Sequence, residues 1–154
     1  MSQLINTLNH IESLIQKYKP DELERVKARP DLTPKQIEEK LSCLPYQVPV
    51  EIVDLYRWHH SGHKCFVHLL NIWQFLDLDE AISTALDWNN STFLNMSAFP
   101  VFSVEDVIYW TVGNIEQQNL APIWSNDEAT FPPNPDAISL TVFFEENIEQ
   151  LGFK

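Results

Sequence analysis

Residues 98–112 read AFPVFSVEDVIYWTV. Two runs, Ala98–Val104 and Val107–Val112, are dense in the β-branched and aromatic side chains that suit a pleated, half-buried surface. Glu105 and Asp106 separate them, which predicts an antiparallel hairpin closed by two residues. That dipeptide is not one of the glycine-containing hairpin turns, so the register stays open at this level.

N-terminal to the hairpin, apolar residues recur every three or four positions. Leu4, Leu8, Ile11, Ile15 and Tyr18 predict an amphipathic helix over 3–18, which Pro20 ends. The charged stretch Asp21–Asp31 fits either a partial helix or a mobile connection. Thr33, Pro34 and Gln36 then form a capping box, with proline at the first helical position. Ile37, Leu41 and Leu44 make the buried face of that second helix, and Pro45 stops it. A third helix starts near Pro49, buries Ile52, Leu55, Tyr56 and His59, and ends at Gly62. Cys65–Leu70 is strand-like. Asp79–Trp88 reads as a short helix with Ile82, Ala85 and Leu86 inward.

C-terminal to the hairpin, Ala121–Trp124 suits a short strand. Phe131–Asp136, with Pro132, Pro133 and Pro135, is an extended loop. Ser139 caps a last helix whose face is Leu140, Phe144, Ile148 and Leu151. The order is helices, antiparallel meander, closing helix. This segregation predicts an α+β fold, one mainly antiparallel sheet packed against helices. A length of 154 residues fits a single domain spanning 1–154.

A hydrophobic content of 44% with 12% aromatics supplies the core. Ten Lys and Arg stand against 22 Asp and Glu, a formal net charge of −12. Affinity for nucleic acid depends on Lys and Arg releasing phosphate counterions, so this balance argues against it, and equally against an anionic membrane. It favours encounter with a basic protein. Met1–Leu4 lacks the basic start of a signal peptide, no apolar run approaches a membrane span, and only Cys43 and Cys65 occur. A reduced, cytoplasmic protein is expected.

Chemistry-bearing residues cluster most densely at His59, His60, His63, Cys65 and His68. Imidazole and thiolate suit zinc, but the spacing fits no standard zinc motif. Neither metal nor cofactor is therefore expected, and a metal-dependent enzyme built on these residues is the weaker alternative. With only Gly62, Gly113 and Gly152, neither a P-loop nor a dinucleotide-binding turn can be written. Ser61-Gly62 lacks a nucleophile elbow, and Ala81-Ile82 spoils the calcium-loop start at Asp77 and Asp79. The carboxylate pairs Glu105-Asp106 and Asp127-Glu128 suit contact with a basic partner better than acid–base work. Trp58 and Trp110 alternate away from the predicted inner faces and are candidate exposed anchors beside them.

Leu44-Pro45, then Pro49 to Gly62 with Leu55-Tyr56 and Ser61-Gly62, resembles the "LP … fY … NG" signature of the SUKH superfamily. That family contains a fungal cell-wall assembly regulator and many bacterial immunity proteins. Phe75–Ile82, Phe99-Pro100-Val101-Phe102, Ile123-Trp124 with Asp127-Glu128, and Ser139–Ile148 follow in the family's order, so the resemblance covers about residues 35–150. Ser61 stands where the family prefers Asn, and the hairpin lacks the customary glycine near Glu105-Asp106. The resemblance implies an α+β fold without catalytic residues, in which Leu44, Pro45, Leu55, Tyr56, Gly62 and Pro100 are structural. It also implies a non-enzymatic protein-binding role. The specific form is immunity, by neutralising a basic polymorphic toxin; a regulatory scaffold for an endogenous protein is the alternative.

Overall fold

The structure is a computed structural model that describes residues 3–18, 20–21, 33–58, 73–75, 78–89, 97–104, 107–125 and 135–147. The hairpin forms where its composition predicts, as β2 (Ala98–Val104) and β3 (Val107–Val112). Pairing of Val104 with Val107 leaves two residues for the connection, and Glu105 and Asp106 themselves lie outside the described residues. The register runs Ala98↔Val112, Phe99↔Thr111 and Pro100↔Trp110, then jumps to Phe102↔Tyr109. Val101 is thus an extra residue, a bulge next to a proline that has no N–H to give the ladder. The bulge brings Phe99 and Phe102, three positions apart, onto one face, and both are fully buried with Val101.

A short strand β1 (Trp73–Phe75) pairs antiparallel along the other side of β2, giving the order β1-β2-β3. Beyond β3, the predicted strand Ala121–Trp124 is reduced to two isolated bridges, Trp110↔Trp124 and Ile123↔Ala137. Pro122 and Pro135 lack the donors that a longer ladder would need. The fold is α+β.

Helix α1 (Gln3–Tyr18) buries Leu4, Leu8 and Ile11. Tyr18, expected on that face, is 43% exposed at the helix end, where the Lys17 ammonium lies 5.2 Å from its ring. Helix α2 (Pro34–Leu41) opens with the predicted capping box: Thr33 Oγ1 accepts from the Gln36 N–H at 3.1 Å, and Gln36 Oε1 accepts from the Thr33 N–H at 2.9 Å. It ends at Leu41, ahead of Pro45; Leu44 is buried in the following turn and Pro45 is exposed.

Helix α3 (Val50–Arg57) buries Ile52, Leu55 and Tyr56 as predicted, but ends sooner than expected. Trp58 is already extended, with ψ 154°, so Gly62 does not terminate this helix; Gly62 lies outside the described residues, as does His59. Helix α4 (Leu78–Asn89) buries Leu78, Ala81, Ile82 and Ala85 and packs on β2. Helix α5 (Leu140–Asn147) is capped by Ser139, whose Oγ accepts the Val142 N–H at 3.1 Å.

The main core joins these helices to Phe99, Val101, Phe102, Phe143 and Phe144. A smaller cluster of Ala98, Trp110 and Trp124, flanked by Trp88 and Val112, occupies the opposite face of the hairpin. The predicted strand Cys65–Leu70, the loop 131–134, and Ile148 and Leu151 lie outside the described residues.

Candidate partner-binding surface

A buried acid ties three separate segments of the chain together. Glu51, in the first turn of α3, is 5% exposed. A carboxylate taken out of water must be satisfied by strong donors. Its Oε1 accepts the N–H of Ala121 at 2.7 Å and of Leu140 at 3.1 Å; its Oε2 accepts the N–H of Thr141 at 3.1 Å and the Thr141 hydroxyl. Two of these donors are orphan N–H groups of the first turn of α5, where the helix dipole also favours negative charge. Glu51 is thereby a cap delivered to α5 from a different helix.

The return contact is made by backbone. The N–H groups of Val50 and Glu51 donate to the carbonyls of Gln118 (2.8 Å) and Asn119 (3.2 Å). Gln47 and Asn114 exchange both backbone bonds, at 2.8 and 3.0 Å, and Gln117 Nε2 donates to the Val48 carbonyl at 3.1 Å. The loop 114–120 is therefore tied down along its length, although each of its side chains is exposed. Ile115 is 89% exposed and Leu120 52%. Leu120 leads into the Ile123↔Ala137 bridge, across which Ile138 is 66% exposed.

Beside this region, the Tyr46 ring lies against Gly113: a Cβ there would stand 1.9 Å from Tyr46 Cδ1. The Tyr46 hydroxyl donates to the Ala98 carbonyl at 3.0 Å, and burial holds this phenol far above its ordinary pKa. Tyr109 stacks on Phe102 with ring centroids 5.1 Å apart. Desolvation, then the Asp136 carboxylate, raises its pKa, against a lowering hydrogen bond with Ser125, which in turn donates to Asp136. Adjoining this region, a cleft of about 460 Å³ between α2 and α3, which Tyr46, Gln47 and Gln117 also line, has an apolar lining that includes Ile37, Leu41, Val48 and Val53, with Glu38 and Arg57 among its polar residues.

The two tryptophans proposed as exposed anchors are buried, Trp58 to 7% and Trp110 to 4% exposure. Because α3 stops at Arg57, Trp58 does not continue the outward helical face. It joins the main core, and its Nε1 donates to Asn9 Oδ1 of α1 at 3.3 Å. Trp110 does point away from the main core, but that face of the hairpin is covered. The Trp124 ring stacks on it at 5.2 Å and 16°. Neither indole offers a partner a free face. Glu105, Asp106, Asp127 and Glu128 lie outside the described residues, as do His59, His60, His63, Cys65 and His68. Among the described residues no group of three or more His, Cys, Asp or Glu is placed to hold a metal, and Cys43 is a free, exposed thiol. No described helix is long and apolar enough to cross a membrane.

One signal in the amino-acid order itself escapes a reading of total charge. Nine of the ten Lys and Arg lie in residues 1–64, where nine Asp and Glu balance them. Residues 65–153 hold the other thirteen acids and not one Lys or Arg. The whole net charge belongs to the stretch that carries the sheet, the locked loop and α5. Searches with this sequence match no protein-family model and no curated protein.

Proposed function

We propose that this chain is a non-enzymatic binding module for a basic protein, and that its specific role is immunity: neutralising a toxin domain in the cytoplasm by direct binding. The observation that carries the reading is the charge segregation. A stretch of 89 residues, 65–153, holds thirteen carboxylates and no Lys or Arg. Lys40 pairs with one of them, Asp79, at 2.6 Å, and the excess gives the chain a net negative field. Such a field attracts a cationic surface, repels nucleic acid and anionic lipid, and speeds encounter more than it deepens affinity. The sequence resemblance to SUKH immunity proteins supports the same role, since a nuclease that binds nucleic acid presents a basic face.

The role of Glu51 fits a scaffold. Its carboxylate is consumed by four donors that hold α3, the 114–121 loop and α5 together.

The test is capture from the native cell extract on the immobilised full chain, washed at low and moderate salt and read by mass spectrometry. The reading expects one dominant basic protein bearing a toxin domain, with an association rate that falls as salt rises. A neutral or acidic regulator as dominant partner refutes immunity and favours a regulatory scaffold. An association rate indifferent to salt refutes the electrostatic argument.

A further inference from the structure

The segments 120–123 and 136–139 meet at a single antiparallel bridge: the Ile123 N–H donates to the Ala137 carbonyl at 2.9 Å, and the Ala137 N–H returns to the Ile123 carbonyl at 3.3 Å. Side chains alternate across such a pair. Ala121, Ile123, Ala137 and Ser139 face inward, at 0, 0, 4 and 3% exposure. The alternate positions face out, and there the sequence places Leu120, Pro122 and Ile138, with Asp136 at the end of the row. Leu120 and Ile138 are 52% and 66% exposed, and Pro122 between them is half-buried. An edge ladder is normally guarded by charged side chains. At this isolated bridge one charged residue, Asp136, flanks an otherwise apolar strip.

The strip is also rigid before anything binds. Glu51 Oε1 accepts the N–H groups of Ala121 and of Leu140 on one oxygen, which fixes Leu120 and Ile138 on neighbouring backbone. A contact surface held in this way costs little ordering entropy on association. The charged residues nearest to the strip along the chain are acidic: Asp136 and Glu116, both exposed.

We infer that the strip of Leu120, Pro122 and Ile138 is the docking centre of this protein, and that its occupant is a protein surface with an apolar patch rimmed by Lys and Arg. The inference rests on the basic-partner reading and names its contact face. A second copy of the chain is disfavoured as occupant, because it would bring an equal net charge of −12 to the same place. The α2–α3 cleft carries Arg57 as well as Glu38 in its lining, so it offers a cationic partner no one-signed rim.

The probe is a phage-displayed library of random peptides, selected on the intact chain, with affinities of enriched peptides then measured on variants. The variant pair is Leu120→Ser with Ile138→Ser; the control is Lys35→Ser with Glu39→Ser on the exposed face of α2. All four sites are exposed, so both variants should melt with the parent. The expected result is enrichment of peptides combining Lys or Arg with aliphatic or aromatic residues. Their binding weakens about tenfold or more on the strip variant and is unchanged on the control. Basic–apolar peptides that bind the strip variant as tightly as the parent overturn the docking face and leave the basic-partner reading standing. Enrichment of peptides without basic residues, or of none, overturns both. Dimerisation in sedimentation velocity that the strip variant abolishes makes the strip a self-interface and overturns the assignment to a basic partner.

Discussion

Replacing Glu51 with alanine strips the acceptor from three backbone N–H groups and one hydroxyl, all buried. Each buried donor left without a partner costs about 1–3 kcal/mol. The cavity left by the shortened side chain admits water to some of them, so the total falls short of the sum. Removing one side of a buried, charged hydrogen-bonded arrangement typically costs about 3–5 kcal/mol, and that is the value expected here. Small proteins have urea m-values of about 1–3 kcal/mol per molar, so the unfolding midpoint should fall by roughly 2 M. Glu51→Gln should sit between parent and alanine, because its amide oxygen still accepts while its NH₂ meets the donors that Oε2 served. The assay is urea unfolding followed by tryptophan fluorescence, with amide hydrogen exchange as local readout. Ala121, Leu140 and Thr141 should lose protection first. A Glu51→Ala cost below about 1 kcal/mol would refute the claim that this carboxylate ties the three segments together.

Further outcomes follow from the same geometry. Gly113→Ala places a methyl 1.9 Å from the Tyr46 ring and must displace it, costing about 1–3 kcal/mol or more in thermal unfolding. The raised pKa of Tyr46 means that the folded state resists ionising where the unfolded chain does not. Stability from this group is complete below pH 10.0, its unfolded value, and is lost as pH rises above it. Spectrophotometric titration should therefore show at least one tyrosine ionising only on alkaline unfolding, and Tyr46→Phe should remove one phenol from that late phase. Trp58→Ala should cost about 3–5 kcal/mol in a urea melt, as an excavated core position rather than a lost binding anchor. A near-neutral melt for Trp58→Ala would restore it as a surface residue.

Local physics was legible in the residue order and long-range physics was not. The hairpin, the capping box at Thr33 and the cap at Ser139 are written in neighbouring residues, and the structure places all three where the sequence does. The bulge at Val101 depends on which faces of β2 are covered, a tertiary matter. A helix running to Gly62 puts Trp58 on its outward face, whereas α3 ends at Arg57 and turns the indole inward. Alternation within β3 places Trp110 on the face away from the main core, where it lies, but cannot reveal that Trp124, fourteen residues further on, covers that face. Glu51 reads from sequence as an ordinary acid in a first helical turn. Its partners lie 70 to 90 positions away. The outward residues Leu120 and Ile138 belonged to segments whose pairing no turn signal announces.

The exchange between α3 and the loop 114–121 also constrains the order of assembly. Helix α3 has no side-chain cap of its own: the carbonyls of Gln118 and Asn119 serve its first N–H groups, while its Glu51 serves α5 across 89 and 90 residues. Neither helix start is complete until a long stretch of chain has closed, and that closure entropy is spent before the bonds return anything. The two helix starts and the loop should consequently form together, late, in one cooperative step. The β2–β3 hairpin, whose contacts are local, has no need to wait for them.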